Sequence, residues 1–209
     1  MTNDAEKFIK FCESDFGKRV LEKEAEYVYQ ELKGSHRILD VGCGIGQFEQ
    51  KLSELNITGL DNSKEILEEA RKRSNKTFVL GDAESLSFDN ASFDAVFYVA
   101  TLEFVDSYRK AIQEAYRVTK PNGKLLVMML NPKSEYFHEH FQREGSYFRK
   151  IRHTNLREIR DYISRFYEIT KEECFLGIRD QQIFDTGKKG VASLYVIIGK
   201  KKIKGKLKR

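Results

Sequence analysis

The 209-residue sequence has no tryptophan, two prolines and three cysteines. Three cysteines without a paired spacing do not make a disulfide framework, so we expect a reducing compartment. No apolar run approaches the roughly 18 residues that a membrane span needs. The N-terminus lacks the basic start and apolar core of a signal peptide. We therefore expect a cytoplasmic protein without a membrane span.

Acidic side chains are outnumbered, but the basic excess lies at one end of the chain. Lysine and arginine total 37 and aspartate and glutamate total 32, which gives a net charge of +5. Seven basic residues and no acidic ones fall in residues 200–209, which leaves 30 basic against 32 acidic residues elsewhere. This basic tail could bind nucleic acid or an anionic surface. We favour a solvated terminus, because the body has no second basic patch.

Three glycines follow a short apolar run in residues 37–47, RILDVGCGIGQ. The run is typical of a buried parallel strand, and a helical pattern begins at Gln47. Glycines at such a turn allow positive φ and a close approach of the backbone to a ligand. The spacing is G-x-G-x-G rather than the G-x-G-x-x-G of dinucleotide-binding proteins. Asp40 precedes the first glycine, which disfavours a pyrophosphate and suits a positive amino group.

Acidic residues also stand at the ends of the next two predicted strands. Asp61 follows residues 56–60 and lies 19 residues after Gly42, and Asp82 follows residues 77–80 and Gly81. An acidic residue about 20 residues after the glycine turn is placed to bind both hydroxyls of a ribose. Strands alternate with helical patterns as far as residue 130, which predicts βαβ units and a parallel sheet.

Five segments then follow in a recognisable order: LDVGCGIG (39–46), GLDNS (59–63), GDAESLSF (81–88), FDAVFYVATLEFV (93–105) and TKPNGKLLVMML (119–130). Together they resemble the motifs of class I S-adenosylmethionine-dependent methyltransferases, nearest the small-molecule branch with the ubiquinone and menaquinone biosynthesis C-methyltransferases. The resemblance implies a Rossmann-like α/β fold. That fold has a seven-stranded, mostly parallel sheet with an antiparallel last strand, helices on both faces and an N-terminal helical cap.

We predict a single methyltransferase domain over residues 1–199, followed by the basic tail at 200–209. Within it, residues 1–34 form the helical cap, residues 35–130 the cofactor-binding core, and residues 131–199 a variable insert and the C-terminal strands. The apolar pattern of the cap predicts two helices with a break near residues 14–17. The cap and the aromatic-rich residues 133–153 either close over the cofactor as a lid or pack permanently on the sheet.

The resemblance implies that the cofactor-binding residues lie at the strand ends. They are Asp40, Gly42, Cys43, Gly44, Gly46, Asp61, Asn62, Asp82, Ala83 and Tyr98. The glycine turn would hold the methionine part of S-adenosylmethionine, and Asp61 the ribose hydroxyls. Asn62 would pack beside the adenine, whose edge Asp82 and the amide of Ala83 would bind. Tyr98 and Glu103, at and after the fourth strand, are the candidate catalytic residues.

Other features restrict the reaction class. The segment after the fourth strand lacks the histidine that many relatives carry near Glu103, an Asn/Asp-Pro-Pro-Tyr motif, and a cysteine. This argues against methylation of nucleobase amino groups and against a covalent cytosine mechanism. His138 and His140 form an H-x-H pair without a third ligand of clear spacing, so we expect no metal.

The sequence predicts transfer of a methyl group from S-adenosylmethionine to a small-molecule acceptor by direct in-line displacement. Two alternatives stay open. One is a methyltransferase that acts on RNA or protein and is recruited by the basic tail. The other is a methyltransferase-like module that binds the cofactor and serves as a regulatory or assembly partner.

Overall fold

An eight-stranded sheet forms the centre of the protein. The computed structural model describes residues 3–203. Along the chain the elements are α1 (Asn3–Glu13), α2 (Asp15–Leu32), β1 (Ile38–Val41), α3 (Gln47–Lys51), β2 (Ile57–Asp61), α4 (Lys64–Arg73), β3 (Thr77–Leu80), β4 (Phe93–Val99), α5 (Tyr108–Val118), β5 (Thr119–Leu130), α6 (Glu135–Gln142), a 3-10 helix (Tyr147–Lys150), α7 (Leu156–Phe166), β6 (Tyr167–Arg179), β7 (Gln182–Phe184) and β8 (Ala192–Lys201). None of the helices in this part of the chain is long and apolar enough to cross a membrane.

The strand order is β3-β2-β1-β4-β5-β8-β6-β7. Strands β1 to β5 pair in parallel, whereas β8 is antiparallel to both β5 and β6. The predicted, mostly parallel sheet with a reversed last strand is therefore confirmed. The chain proceeds from β1 to one side and returns to β4 on the other. Ligands bind at such a reversal, beyond the carboxyl ends of the strands.

The sheet has one strand more than the predicted seven. The extra strand, β7, lies inside the connection between β6 and β8 and pairs with β6 through Arg179 and Gln182. Asp180 and Gln181 both have positive φ, 49° and 59°, as a two-residue hairpin turn requires. The prediction missed this hairpin because its turn carries no glycine and β7 is only three residues long.

Helices cover both faces of the sheet, and the side chains of β4 alternate between those faces. Val96 and Tyr98 lie in the core beside α5 and α7, whereas Ala95 and Phe97 pack with α2 and α3. Because both faces are buried, residues 95–99 of the strand form an uninterrupted apolar run in the sequence.

The N-terminal cap consists of the two predicted helices, with the break at Ser14. The Ser14 hydroxyl oxygen accepts a hydrogen bond from the Gly17 amide at 2.9 Å and so caps α2. Val28 and Leu32, in the second half of α2, are fully buried against the sheet. The cap is therefore anchored at its C-terminal end, and α1 reaches across the carboxyl edge of the sheet.

Strand β8 runs two residues into the predicted basic tail. Lys200 pairs in register with Lys124 of β5, and the Lys201 ammonium lies 4.3 Å from the centre of the Tyr116 ring. These two lysines belong to the sheet rather than to a solvated terminus. Residues 204–209 lie outside the described residues, so recruitment of nucleic acid by the tail stays a prediction.

Candidate cofactor site and acceptor side

The glycine turn between β1 and α3 needs glycine for both its conformation and its contacts. Gly42, Gly44 and Gly46 have φ of 81°, 55° and 73°, which side chains rarely tolerate. A Cβ at Gly42 would lie 2.4 Å from the Thr101 hydroxyl oxygen, and one at Gly44 would lie 2.8 Å from the Phe8 ring. The turn is therefore packed between the segment after β4 and the cap helix α1.

Asp61, the last residue of β2, holds this turn in place. One carboxylate oxygen accepts a hydrogen bond from the Gly44 amide at 3.0 Å, and the other accepts one from the Ser63 amide at 2.9 Å. Burial raises the pKa of the Asp61 carboxyl, while these backbone donors lower it. Each carboxylate oxygen can accept more than one hydrogen bond, so Asp61 can also bind the hydroxyls of a ligand.

Two more carboxyl groups are buried under the same turn. Asp40 is 1% exposed and its Oδ2 lacks a hydrogen-bond partner, and both oxygens of the fully buried Glu49 lack one within the described residues. Burial, with the negative charges of Glu49 and Asp61, raises the pKa of Asp40 well above its usual range. Burial also raises the pKa of Glu49 to about 7. The turn is thus an acidic, poorly solvated site that would favour a cation.

Glu49 is a buried carboxyl beside the glycine turn that the sequence analysis missed. A Cβ on Gly59 of β2 would lie only 2.6 Å from Glu49 Oε1, so the glycine leaves the space that the carboxyl fills. A five-residue helix is too short to show a clear apolar face in its sequence. A glutamate in such a helix is therefore predicted to face solvent. The one available signal was Gly59 in the interior of a strand, where glycine often marks a close approach.

The third predicted acid lies at the same edge of the sheet. Asp82 is exposed and its carboxylate accepts a hydrogen bond from the Glu84 amide at 2.8 Å. The Gly81 amide donates to the Asp61 carbonyl oxygen at 3.0 Å, which brings the ends of β2 and β3 together. Ala83 is buried in the core and Asn62 is exposed. The structure therefore gathers the residues proposed for ribose and adenine beside the glycine turn.

Glu103 follows β4 and bridges the ends of β4 and β5. Its Oε1 accepts a hydrogen bond from the Leu130 amide at 2.8 Å, whereas Oε2 is buried without a partner in the described chain. Burial raises the pKa of this carboxyl to about 7. The Glu103 carbonyl oxygen accepts from the amides of Arg152 (2.8 Å) and His153 (3.2 Å). The insert is thereby fixed to the segment predicted to face the methyl group.

The position of Tyr98 differs from the prediction. Its side chain is fully buried, and its hydroxyl donates to the Ala111 carbonyl oxygen of α5 at 3.1 Å. Because side chains along a strand alternate between faces, Tyr98 belongs to the α5 side of β4. The structure gives Tyr98 a packing role, and we leave it out of the proposed cofactor and catalytic residues.

Aromatic side chains of the cap, of the insert and of the segment after β4 lie on the remaining side of the site, which we call the acceptor side. The rings of Phe16 in α2 and Tyr136 in α6 lie 6.3 Å apart, and those of Phe104 and Tyr147 lie 4.8 Å apart. With Phe8 over Gly44, both segments pack on the carboxyl edge. The two alternatives, a lid that opens and closes and permanent packing on the sheet, both stay open.

A profile of the methyltransferase domain family matches residues 39–127, from β1 to β5. The chain carries a methyltransferase domain of the S-adenosylmethionine-dependent class. The cofactor of this domain is S-adenosylmethionine. The match includes the glycine turn, Asp61, Asp82 and the segment after β4, which are the elements that form the site.

Similar proteins differ in the acceptor that their names give. A malonyl-acyl-carrier-protein O-methyltransferase from Erwinia pyrifoliae is 37% identical over 97 residues, 45% of this chain and 37% of that protein. A ubiquinone/menaquinone biosynthesis C-methyltransferase from Rickettsia bellii is 31% identical over 147 residues, 63% of this chain and 59% of that protein. The chain spans about half the length of the curated relatives it matches.

One solved structure is similar over almost the whole chain. It is a methyltransferase from Thermotoga maritima, described as S-adenosylmethionine-dependent and as a possible histamine N-methyltransferase. It superposes with a TM-score of 0.80 at 25% identity and covers 94% of this chain and 95% of its own. The similarity therefore includes the cap and the insert as well as the core.

The methyltransferase site fits the charge of this cofactor. S-adenosylmethionine carries an ammonium and a sulfonium, and the buried, unpartnered Asp40 Oδ2 is the kind of group that an ammonium compensates. Asp61 retains acceptor capacity for the ribose hydroxyls at the end of β2. A pyrophosphate would instead be repelled by Asp40, Glu49 and Asp61.

Asp61→Ala should weaken binding of S-adenosylhomocysteine at least tenfold. The substitution removes charge-assisted hydrogen bonds to the ribose, each worth roughly 1.5–3 kcal/mol, and releases Gly44 from β2. Isothermal titration calorimetry measures the effect. Glu54→Ala, which removes an exposed carboxyl before the start of β2 and away from its carboxyl end, should leave the affinity unchanged. Wild-type affinity in Asp61→Ala would contradict this assignment.

Tyr98→Phe should lower the free energy of unfolding by about 1 kcal/mol, since one buried hydrogen bond is lost. Its affinity for S-adenosylhomocysteine and its turnover should stay at the wild-type level. Urea denaturation and calorimetry test the two statements. Tyr29→Phe is the control, because the Tyr29 hydroxyl makes no hydrogen bond within residues 3–203. A large loss of turnover in a stable Tyr98→Phe protein would return Tyr98 to the site.

Proposed function

We propose that this chain transfers a methyl group from S-adenosylmethionine to a small-molecule acceptor by direct in-line displacement. The observation that carries this proposal is the aromatic surface that the cap, the insert and the segment after β4 form on the acceptor side. Largely apolar, aromatic surfaces with a few polar groups suit small ligands. A polymer such as RNA would instead need an open, basic surface.

S-adenosylmethionine supplies a methyl group that is already activated on a sulfonium. The residues of the chain then have to hold the donor in line with the acceptor and to remove a proton where the acceptor atom carries one. Asp40 would pair with the ammonium and Asp61 with the ribose hydroxyls, so that the cofactor is held on both sides of its sulfonium. The glycine turn, without side chains, lets the backbone approach the methionine part.

We assign to Glu103 the role of the general base that removes a proton from the methyl acceptor. Its Oε1 is held by the Leu130 amide, which leaves the buried Oε2 available to accept a proton from an O–H or N–H acceptor. A pKa of about 7 is suitable, because a base near the operating pH can both take up a proton and release it. The missing histidine of many relatives would thus be replaced by a neighbouring carboxylate.

The relatives support a small-molecule acceptor but not a particular one. The names of these proteins specify methyl transfer to carbon, to oxygen and to nitrogen. Membership of the family therefore does not identify the acceptor atom. The Thermotoga maritima structure is similar across the cap and the insert too. Because those regions form the acceptor side, this similarity favours an acceptor of small size.

Incubation with methyl-labelled S-adenosylmethionine tests the proposed function. The candidate acceptors are a panel of small amines, phenols, carboxylates and quinols, with total RNA and a peptide mixture as competing substrates. The proposal predicts that label enters small molecules, with formation of S-adenosylhomocysteine. Label in RNA or peptide alone would favour the alternative acceptors. Cofactor binding without transfer to any substrate would favour a regulatory or assembly module.

Glu103→Gln should reduce turnover on an O–H or N–H acceptor by on the order of 10²-fold and leave cofactor affinity unchanged. In the wild type, activity should rise as the pH increases through about 7, because only the ionised carboxylate can accept a proton. The variant should lose this rise, although its amide oxygen can still accept the Leu130 hydrogen bond. Profiles of kcat against pH for both proteins measure this. A rise near pH 7 that persists in Glu103→Gln would restrict Glu103 to a positioning role.

A further inference from the structure

Glu24 in α2 is a buried carboxyl group outside the cofactor site. It is 7% exposed, and within residues 3–203 no hydrogen bond or ion pair involves its side chain. Burial alone raises the pKa of this carboxyl to about 8. Buried ionisable groups are normally paired or hydrogen-bonded, because an uncompensated one is costly.

Glu24 lies between the glycine turn and the insert. It follows Val20 by four residues and Leu21 by three, so the three side chains share one face of α2. Val20 packs in a cluster with Tyr136 of α6, whereas Leu21 packs in a cluster with Cys12 of α1 and Ile45 of the glycine turn. Glu24 therefore sits where the cap meets both the cofactor turn and the acceptor side.

The titratable groups that face Glu24 do not neutralise it. Cys12 of α1 and Tyr136 of α6 both feel its negative charge, and burial with that charge raises the pKa of each group. Both groups are neutral at physiological pH. The Phe16 ring packs against Tyr136, with ring centres 6.3 Å apart, which adds aromatic surface on the same side. A carboxyl group beside aromatic rings is a suitable environment for an organic cation.

From this arrangement we propose that Glu24 is the anchor for a protonated amine on the methyl acceptor. This inference rests on the proposed function and narrows its substrate class to small aromatic or aliphatic amines. The amine that pairs with Glu24 stays protonated, so it orients the acceptor and a different atom receives the methyl group. The residue thus determines specificity and takes no part in the proton transfer assigned to Glu103.

Binding of matched probes in the presence of saturating S-adenosylhomocysteine tests the proposal. The probes are two amines and their amine-free analogues: histamine with 4-methylimidazole, and tyramine with 4-ethylphenol. We expect at least one amine to bind the wild type at least tenfold more tightly than its analogue. Glu24→Gln should reduce that ratio to below threefold without changing the affinity for S-adenosylhomocysteine. Glu22→Gln, on an exposed position of the same helix, should keep the wild-type ratio.

A second readout separates an ion pair from a structural role. Pairing with an ammonium ionises Glu24, so amine binding near pH 7 should release about one proton in the wild type and none in Glu24→Gln. Calorimetry in two buffers of different ionisation enthalpy gives this number. If Glu24→Gln does not fold, Glu24→Leu is measured in its place, since it removes the charge and the buried polar group together.

Several results would overturn the inference. They are an absence of amine preference in the wild type, a preference that persists in the Glu24 variant, or binding without proton release. Any of these with intact S-adenosylhomocysteine binding leaves the proposed methyltransferase function in place. A wild-type protein that does not bind S-adenosylhomocysteine would overturn both the inference and the proposed methyltransferase function.

Discussion

Asp61 connects β2 to the glycine turn through hydrogen bonds to the amides of Gly44 and Ser63, and the geometry of the cofactor site depends on this connection. The turn can follow that path because three of its residues are glycines with positive φ. It also lies above Asp40 and Glu49, which are buried without full hydrogen-bonding. The proposed cofactor brings an ammonium and ribose hydroxyls, which would satisfy carboxylate oxygens that have no partner within residues 3–203.

Buried carboxyl groups are also found on the acceptor side. Glu103 and Glu24 are buried carboxyls whose pKa values are raised by burial, and both lie near the carboxyl edge of the sheet. Without ligands, the protein protonates such groups rather than burying their charge. Ligands that bring positive charge or hydrogen-bond donors then bind the native state selectively and stabilise it. Under the proposals for Asp40, Asp61, Glu103 and Glu24, cofactor recognition, acceptor recognition and stability would be linked through these carboxyl groups.

The sequence predicted those features that depend on periodicity and on strand ends. Apolar runs separated by helical patterns gave the parallel sheet, and the acids after three strands gave the edge where ligands bind. Glu49 and Glu24 could not be predicted, because a glutamate on a helix is normally solvent-facing and only tertiary packing shows that it is buried. Tyr98 was predicted at the cofactor and the methyl group, whereas its side chain packs against α5; the sequence of a doubly buried strand does not say which helix layer each side chain meets. The hairpin of β7 carries no glycine turn to mark it.

The central claim is that the acidic glycine turn recognises the ammonium and the ribose of S-adenosylmethionine through Asp40 and Asp61. A crystal structure of the protein with S-adenosylhomocysteine bound tests this claim most directly. The account predicts the cofactor's ammonium within hydrogen-bonding distance of Asp40 Oδ2 and both ribose hydroxyls on the Asp61 carboxylate. An ammonium bound elsewhere, with Asp40 still buried and unpartnered, or a ribose that does not contact Asp61, would contradict it.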